Sequence, residues 1–204
     1  VPDGTHLTYH SKSIKMLELN YKNGKLHGST REWNKNSQLI SQSYYLNGVR
    51  HGLSEKWDER GRKIESFNYV DGKISGKCFI YEDEAANPYE INYRVIDDRL
   101  EGRMIVKMFD LRGDLTMKFN VLNTVLQGIC SITVNDKSAN ESFNNGRPID
   151  GYDDLNLRET FNIYVQLINH QHQTEVIGDT YWQTHKYSQD QYIMNYLSGV
   201  FEVK

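Results

Sequence analysis

Tyr21-Lys-Asn-Gly-Lys-Leu-His-Gly28 returns as Tyr45-Leu-Asn-Gly-Val-Arg-His-Gly52 and again as Tyr69-Val-Asp-Gly-Lys-Ile-Ser-Gly76. The opening tyrosines and the closing glycines are each 24 residues apart. Such fixed-period self-similarity marks a repeat array, in which each unit buries its apolar residues against its neighbours. Counted outward, the closing glycines are Gly4, Gly28, Gly52, Gly76, Gly102, Gly128 and Gly151. Five residues after the first four stand Tyr9, Trp33, Trp57 and Tyr81, with Phe109 in phase once two residues are inserted.

Two turn signals divide each unit. Asn23-Gly24, Asn47-Gly48, Asp71-Gly72 and Asn145-Gly146 suit two-residue hairpin turns, whose central positions both need positive φ. The other turn is looser: Lys12-Ser13, Asn36-Ser37, Arg60-Gly61, an expanded Asp83 to Pro88, then Arg112-Gly113. Between turns the residues alternate, as in Leu17, Leu19 and Tyr21 or Met117, Phe119 and Val121. Period-two alternation with a turn every dozen residues predicts two strands per repeat. The expected fold is mainly β: an elongated single-layer antiparallel meander of stacked hairpins over residues 1–151, with a small α/β cap over 152–204.

With strands ~4.8 Å apart, repeats advance ~9.6 Å, and equivalent residues form rows. Tyr9, Trp33, Trp57, Tyr81 and Phe109 make one row; Tyr21, Tyr45, Tyr69, Val95 and Val121 make another. Packing of a thin sheet is the plainest use of both. The chain is only 38% hydrophobic, which suits shallow burial repeated along an array better than one thick core.

From Tyr152 the repeat disappears. Asp153 and Asp154 can cap a helix carrying Leu157, Phe161, Tyr164 and Ile168, and Ser188 to Gln191 resembles a capping box opening a second, short helix. Open arrays need a terminal unit over their exposed apolar end, so this segment reads as a cap or a docking module. It holds three basic and seven acidic side chains, net −4, leaving +1 for residues 1–151. Neither part has the basic excess that nucleic-acid binding needs. The chain begins at Val1, which is compatible with processing, and no apolar run approaches the length of a membrane helix.

The pattern aromatic-x-Asn-Gly-Lys-aliphatic-x-Gly, with Tyr or Trp five residues on, resembles the MORN-type repeat. It is most similar to the Asn-Gly-rich variant of bacterial antitoxin-like and large-DNA-virus proteins. The resemblance covers residues 4 to about 151 and is strongest over 15–82. Further on, Asp97-Asp98 and Asn123-Thr124 replace the Asn-Gly pair. It implies a twisted sheet of stacked hairpins serving as a scaffold, a protein-binding platform or a dimerisation surface, with membrane lipid a proposed ligand for some members.

Chemical motifs are few. His27 and His51 precede closing glycines and read as a solvated strand start, while His170 and His172 on a helix would diverge, so no metal site is expected. Cys78 and Cys130 lie two repeats apart, too far for a disulfide in this register, and two free thiols point to a reducing compartment, cytoplasmic or within a virion. Nucleophile elbows, phosphate loops and zinc-protease motifs are missing, and Asp97-Asp98 and Asp153-Asp154 read as turn and cap chemistry. No cofactor is implied. Lys25, Arg50, Lys73, Arg99 and Arg147 would line one border of the sheet, where anionic headgroups could be met, but Asp71, Asp97 and Asp98 offset that field. The expected role is a non-catalytic scaffold binding a protein partner or itself, as in a virion or envelope complex, with Tyr45, Tyr69, Tyr181 and Trp182 as candidate contacts. The rivals are an antitoxin-like immunity protein, a peripheral lipid binder and, third, a hydrolase within residues 152–204.

Overall fold

In a computed structural model, residues 3–83, 88–110, 113–134 and 137–149 are described. They form β1 (Gly4–Ser11), β2 (Ile14–Lys22), β3 (Lys25–Trp33), β4 (Leu39–Leu46), β5 (Val49–Arg50), β6 (Gly52–Trp57), β7 (Lys63–Val70), β8 (Lys73–Ile74), β9 (Gly76–Glu82), β10 (Tyr89–Ile96), β11 (Arg99–Leu100), β12 (Gly102–Asp110), β13 (Gly113–Leu122), β14 (Val125–Leu126), β15 (Gly128–Val134), β16 (Lys137–Asn144) and β17 (Arg147–Pro148). The strands belong to one open antiparallel sheet in meander order, and no helix occurs among the described residues. Two compact units divide the chain: Val1–Glu82 with Glu90–Met104, and Asp83–Tyr89 with Ile105–Lys204. The cap expected over 152–204, with its two helices, lies outside the described residues.

The hairpin tips follow from the Asn-Gly chemistry. Asn47 and Gly48 have φ of 53° and 88°, the left-handed pair that a two-residue turn requires, and Tyr45 and Leu46 face Arg50 and Val49 across it. The same turn persists where glycine is lost. Asp97 and Asp98 take φ of 49° and 62°, and Asn123 and Thr124 take 52° and 65°. The repeat therefore continues through both degenerate units, with Gly102 and Gly128 still at positive φ.

Two strands per repeat become three segments, because the returning strand is bulged. Tyr45 faces Arg50 while Gln42 faces Glu55, so three steps along β4 are matched by five along β5 and β6. At the bulge the residue before the closing glycine donates its N–H back to the preceding strand. The bonds are His51 to Tyr44 O (2.9 Å), Ser75 to Asn68 O (2.8 Å) and Glu101 to Arg94 O (3.0 Å) in the first unit, and Gln127 to Asn120 O (2.9 Å) in the second. In the last repeat Ile149 donates to Ser142 O (2.8 Å). The closing glycine expected there, Gly151, lies outside the described residues.

Two of the looser turns are built on an acidic or amide side chain. Asp58 Oδ1 accepts the N–H groups of Arg60 (2.9 Å) and Arg62 (2.8 Å), and Asn34 Oδ1 accepts those of Asn36 (2.9 Å) and Gln38 (3.1 Å). Gly61 and Ser37 then complete each loop at φ of 77° and 61°.

Alternation puts one face of each unit inside. In the first unit Phe67, Tyr69, Cys78, Ile80, Ile91, Tyr93, Val95 and Met104 are buried; in the second, Val106, Met108, Met117, Phe119, Val121, Cys130 and Phe143 are. The same inner face is polar in the early repeats. Ser43 and Ser54 are buried with their hydroxyls 2.7 Å apart, and Lys56 meets the buried Glu65 at 2.8 Å.

Candidate interaction surface

Consecutive hairpin tips in the first unit are bonded to each other. Gly48 donates its N–H to Leu26 O of the preceding tip (2.7 Å), and Gly72 donates to Arg50 O (2.8 Å). At the start of the array the Asp3 carboxylate accepts the Gly24 N–H (3.1 Å) instead. Bonds to the Asn23 and Gly24 amides hold that carboxyl below its ordinary range. In two repeats the residue before the closing glycine reinforces the stack. His51 Nδ1 accepts the Asp71 N–H at 3.5 Å, and in the second unit Gln127 Oε1 accepts the Asn145 N–H at 2.9 Å. The solvated strand start expected at His27 and His51 holds for the exposed His51 and is corrected for His27. His51 supports the next turn, and His27 is half-buried with its Nδ1 buried and without a hydrogen-bond partner.

The tips bring six large apolar residues of the first unit together on the outer face. Tyr44 and Leu46 alternate with the inward Ser43 and Tyr45 on β4, and Val49 faces Leu46 across the turn. Leu53 faces Asn68, two residues before Val70, and Ile96 follows the buried Val95. All six are between 38 and 45% exposed. Val49 also lies against the next turn, where a methyl group added at Gly72 would meet its Cγ1 at 3.0 Å.

A polar row borders this patch. Glu18 Oε1 binds Arg31 Nη1 at 2.9 Å, Arg31 Nε donates to Gln42 Oε1 at 3.1 Å, Gln42 Nε2 donates to Tyr44 Oη at 3.0 Å, and Lys63 pairs with Glu55. Partly exposed ion pairs contribute little to stability, but they fix the long side chains that frame the patch.

The aromatic rows turn their rings to other uses. Tyr69 is 4% exposed and its hydroxyl accepts a bond from Arg50 Nη1 (3.1 Å), so its ring belongs to the core. Tyr45 is half-buried, and its hydroxyl accepts from Arg50 Nε (3.3 Å). In the other row Lys15 stands over Trp33 and Arg62 over Tyr81, each 5.3 Å from the ring centre, a cation–π distance. Tyr181 and Trp182 lie outside the described residues. In the basic border Arg50 is thus drawn onto Tyr45 and Tyr69, and Lys73 binds Asp98 of the next tip (2.8 Å), which raises the lysine pKa.

The outer apolar patch was readable in one respect only. The residues flanking each turn are Lys22 and Lys25 in the first copy but Leu46 and Val49 in the second. That exchange of cations for apolar groups at a tip is the signal; attention to tyrosines passes over it.

Neither thiol forms a disulfide. Cys78 and Cys130 are both free and buried. Burial pushes the Cys78 thiol up to about 12, against a small opposing hydrogen bond with Tyr93, and burial likewise raises Cys130. No cluster of metal-ligating side chains occurs among the described residues. The chain matches no protein-family model and no curated protein.

Proposed function

We propose that the protein is a non-catalytic scaffold whose first unit offers the outer face of its stacked hairpin tips to a protein partner. The observation that carries this reading is the patch of Tyr44, Leu46, Val49, Leu53, Val70 and Ile96, with Lys73 facing Val70 and Arg99 facing Ile96, bordered by the Glu18–Arg31–Gln42 row. A desolvated apolar centre with a polar rim is the anatomy of protein interfaces. The turns beneath are tied to one another by backbone hydrogen bonds, so the patch is held in place before a partner arrives, which lowers the ordering cost of binding. The likeness of the Asn-Gly repeat to the MORN type supports the same class of role.

The test is crosslinking and affinity capture from the source with wild-type protein, Leu46→Asp and Leu53→Asp. Both residues are exposed, so the variants should keep their circular dichroism and melting temperature while losing the partner, with at least a tenfold loss of affinity. Retention of every crosslinked protein by both variants, or a strict monomer with no partner captured, would overturn the proposal.

A further inference from the structure

Each repeat sends one strand into its tip and brings one back. The returning strands β3, β6 and β15 each lie between two strands of the other kind: β3 between β2 and β4, β6 between β4 and β7, and β15 between β13 and β16. β1 has the same construction. Gly4, at φ 107°, faces Tyr21 as Gly28 faces Tyr45 and Gly52 faces Tyr69, and Asp3 before it accepts the N–H of Gly24 in the next turn. Among the described residues, however, β1 pairs with β2 alone, which leaves one side of it unmatched.

The unmatched side is set out for a ladder. Tyr44 O accepts the His51 N–H on the β6 side, so the backbone groups of Gln42, two residues earlier, point the same way and meet Glu55, three residues after Gly52. The equivalent of Glu55 in β1 is Leu7, three residues after Gly4, and by alternation Thr5 and Tyr9 share its direction. Exposed strand edges invite pairing and are commonly blunted by charge, proline or shortness. β1 has eight residues, Gly-Thr-His-Leu-Thr-Tyr-His-Ser, with neither a carboxylate, a Lys or Arg, nor a proline, and all but His6 are exposed. The residue it leaves unpaired against β2, His10, lies past the Thr5 to Tyr9 stretch.

The ends of the strand favour one occupant. Asp3 precedes it and Lys12 follows it, so an antiparallel copy of the same strand lays its basic end on the acidic end of the first. With Leu7 opposite Leu7, Thr5 faces Tyr9 and His6 faces Thr8, and the outward groups of residues 5, 7 and 9 close about six backbone hydrogen bonds. Leu7, across from Glu18 of the outer polar row, is 39% exposed, and Tyr9 is 48% exposed. In this register the two leucines and two tyrosines meet in one apolar cluster on the outer face.

We propose that two copies of the chain pair through β1, antiparallel about Leu7, to form one continuous sheet across a two-fold axis. Such pairing uses both free β1 edges, so the contact makes a dimer and no longer array. It is separate from the outer patch of Leu46 and Leu53, and either contact can be lost without the other.

The test is sedimentation velocity of the full chain over a concentration series, with Leu7→Pro and Leu7→Val. Proline at Leu7 removes an N–H from the free side and spares the bonds to β2, so it should weaken the dimer at least tenfold while valine keeps it. A second measurement holds even where Leu7→Pro fails to fold. Under mild oxidation Leu7→Cys should form a disulfide between chains and Leu53→Cys should not, the native thiols being buried. A monomer at every concentration, a dimer indifferent to a folded Leu7→Pro, or a link through Leu53→Cys in place of Leu7→Cys would each overturn the proposal. So would a monomer that loses a crosslinked protein in Leu7→Pro, which would mean that a different polypeptide takes the edge.

Discussion

Stacking of the hairpin tips makes a prediction in which three equivalent glycines should differ. Gly24, Gly48 and Gly72 occupy the same turn position at φ of 71°, 88° and 83°. A left-handed alanine costs ~1–2 kcal/mol, of which ~0.4–1 is recovered because alanine restricts the unfolded chain. Each substitution should therefore cost about 1 kcal/mol from backbone terms alone. Surroundings separate them. A methyl at Gly24 meets nothing within 4 Å, one at Gly48 meets Lys25 Cβ at an ordinary 3.7 Å, and one at Gly72 meets Val49 Cγ1 at 3.0 Å. Val49 is branched at Cβ, so its retreat means leaving a staggered rotamer, at ~0.5–1.5 kcal/mol. Gly72→Ala should thus cost about 2 kcal/mol, and Gly24→Ala and Gly48→Ala about 1. Urea titration followed by Trp33 and Trp57 fluorescence reports on this unit. Measured against Val49→Ala, the double variant Val49→Ala/Gly72→Ala should return to about 1 kcal/mol, giving a coupling near 1 kcal/mol. Equal losses at all three glycines, or no coupling to Val49, would refute the idea that tips pack against one another.

Three further outcomes follow from the same geometry. Thr124, branched at Cβ yet held at φ 65°, is strained, so Thr124→Gly should stabilise the protein by about 1 kcal/mol after glycine's unfolded-state entropy is counted; a loss of stability in thermal melts would contradict this. Burial pulls the Asp58 carboxyl upward, but the Arg62 and Arg60 amides and the Arg62 guanidinium outweigh it and hold its pKa below the ordinary 3.8, so Asp58→Ala should cost ~1–2 kcal/mol near neutrality. Because that folded pKa is depressed, the charge-dependent part is complete above the unfolded value and is lost as pH falls through the folded one. Melting temperatures of wild type and Asp58→Asn should converge only below about pH 4, and convergence already at pH 6 would contradict the assignment. Raising the Cys78 thiol from 9.0 to about 12 leaves roughly a thousandfold less thiolate, so native alkylation at pH 8 should be at least ~1000-fold slower than in urea, as read by peptide mapping. Labelling at the rate of an open thiol would show that Cys78 is accessible.

Much of the fold was legible because its rules are local. Asn47-Gly48 specifies a two-residue turn within four residues, and the 24-residue return of Tyr, Asn-Gly and Gly repeats that instruction along the chain. The candidate surface was less legible. A tyrosine in the repeat suits a contact, yet Tyr69 is core, whereas the apolar pair Leu46 and Val49 is exposed.

By itself, then, the sequence determined the strand period, the tips and the antiparallel order, since these follow from backbone conformations that a few residues impose. Tertiary structure decided which face is covered and which is open. A side chain changes face with every residue, and the one-residue register shifts beside Trp33 and Trp57 flip that count, so inward and outward assignments cannot be carried from one strand to the next without the ladder. It also decided that Asn123-Thr124 still turns and that both it and the Asp97-Asp98 turn expected from sequence take left-handed φ at both positions. Neither pair prefers the left-handed conformation as Asn-Gly does; paired strands on either side hold them in it.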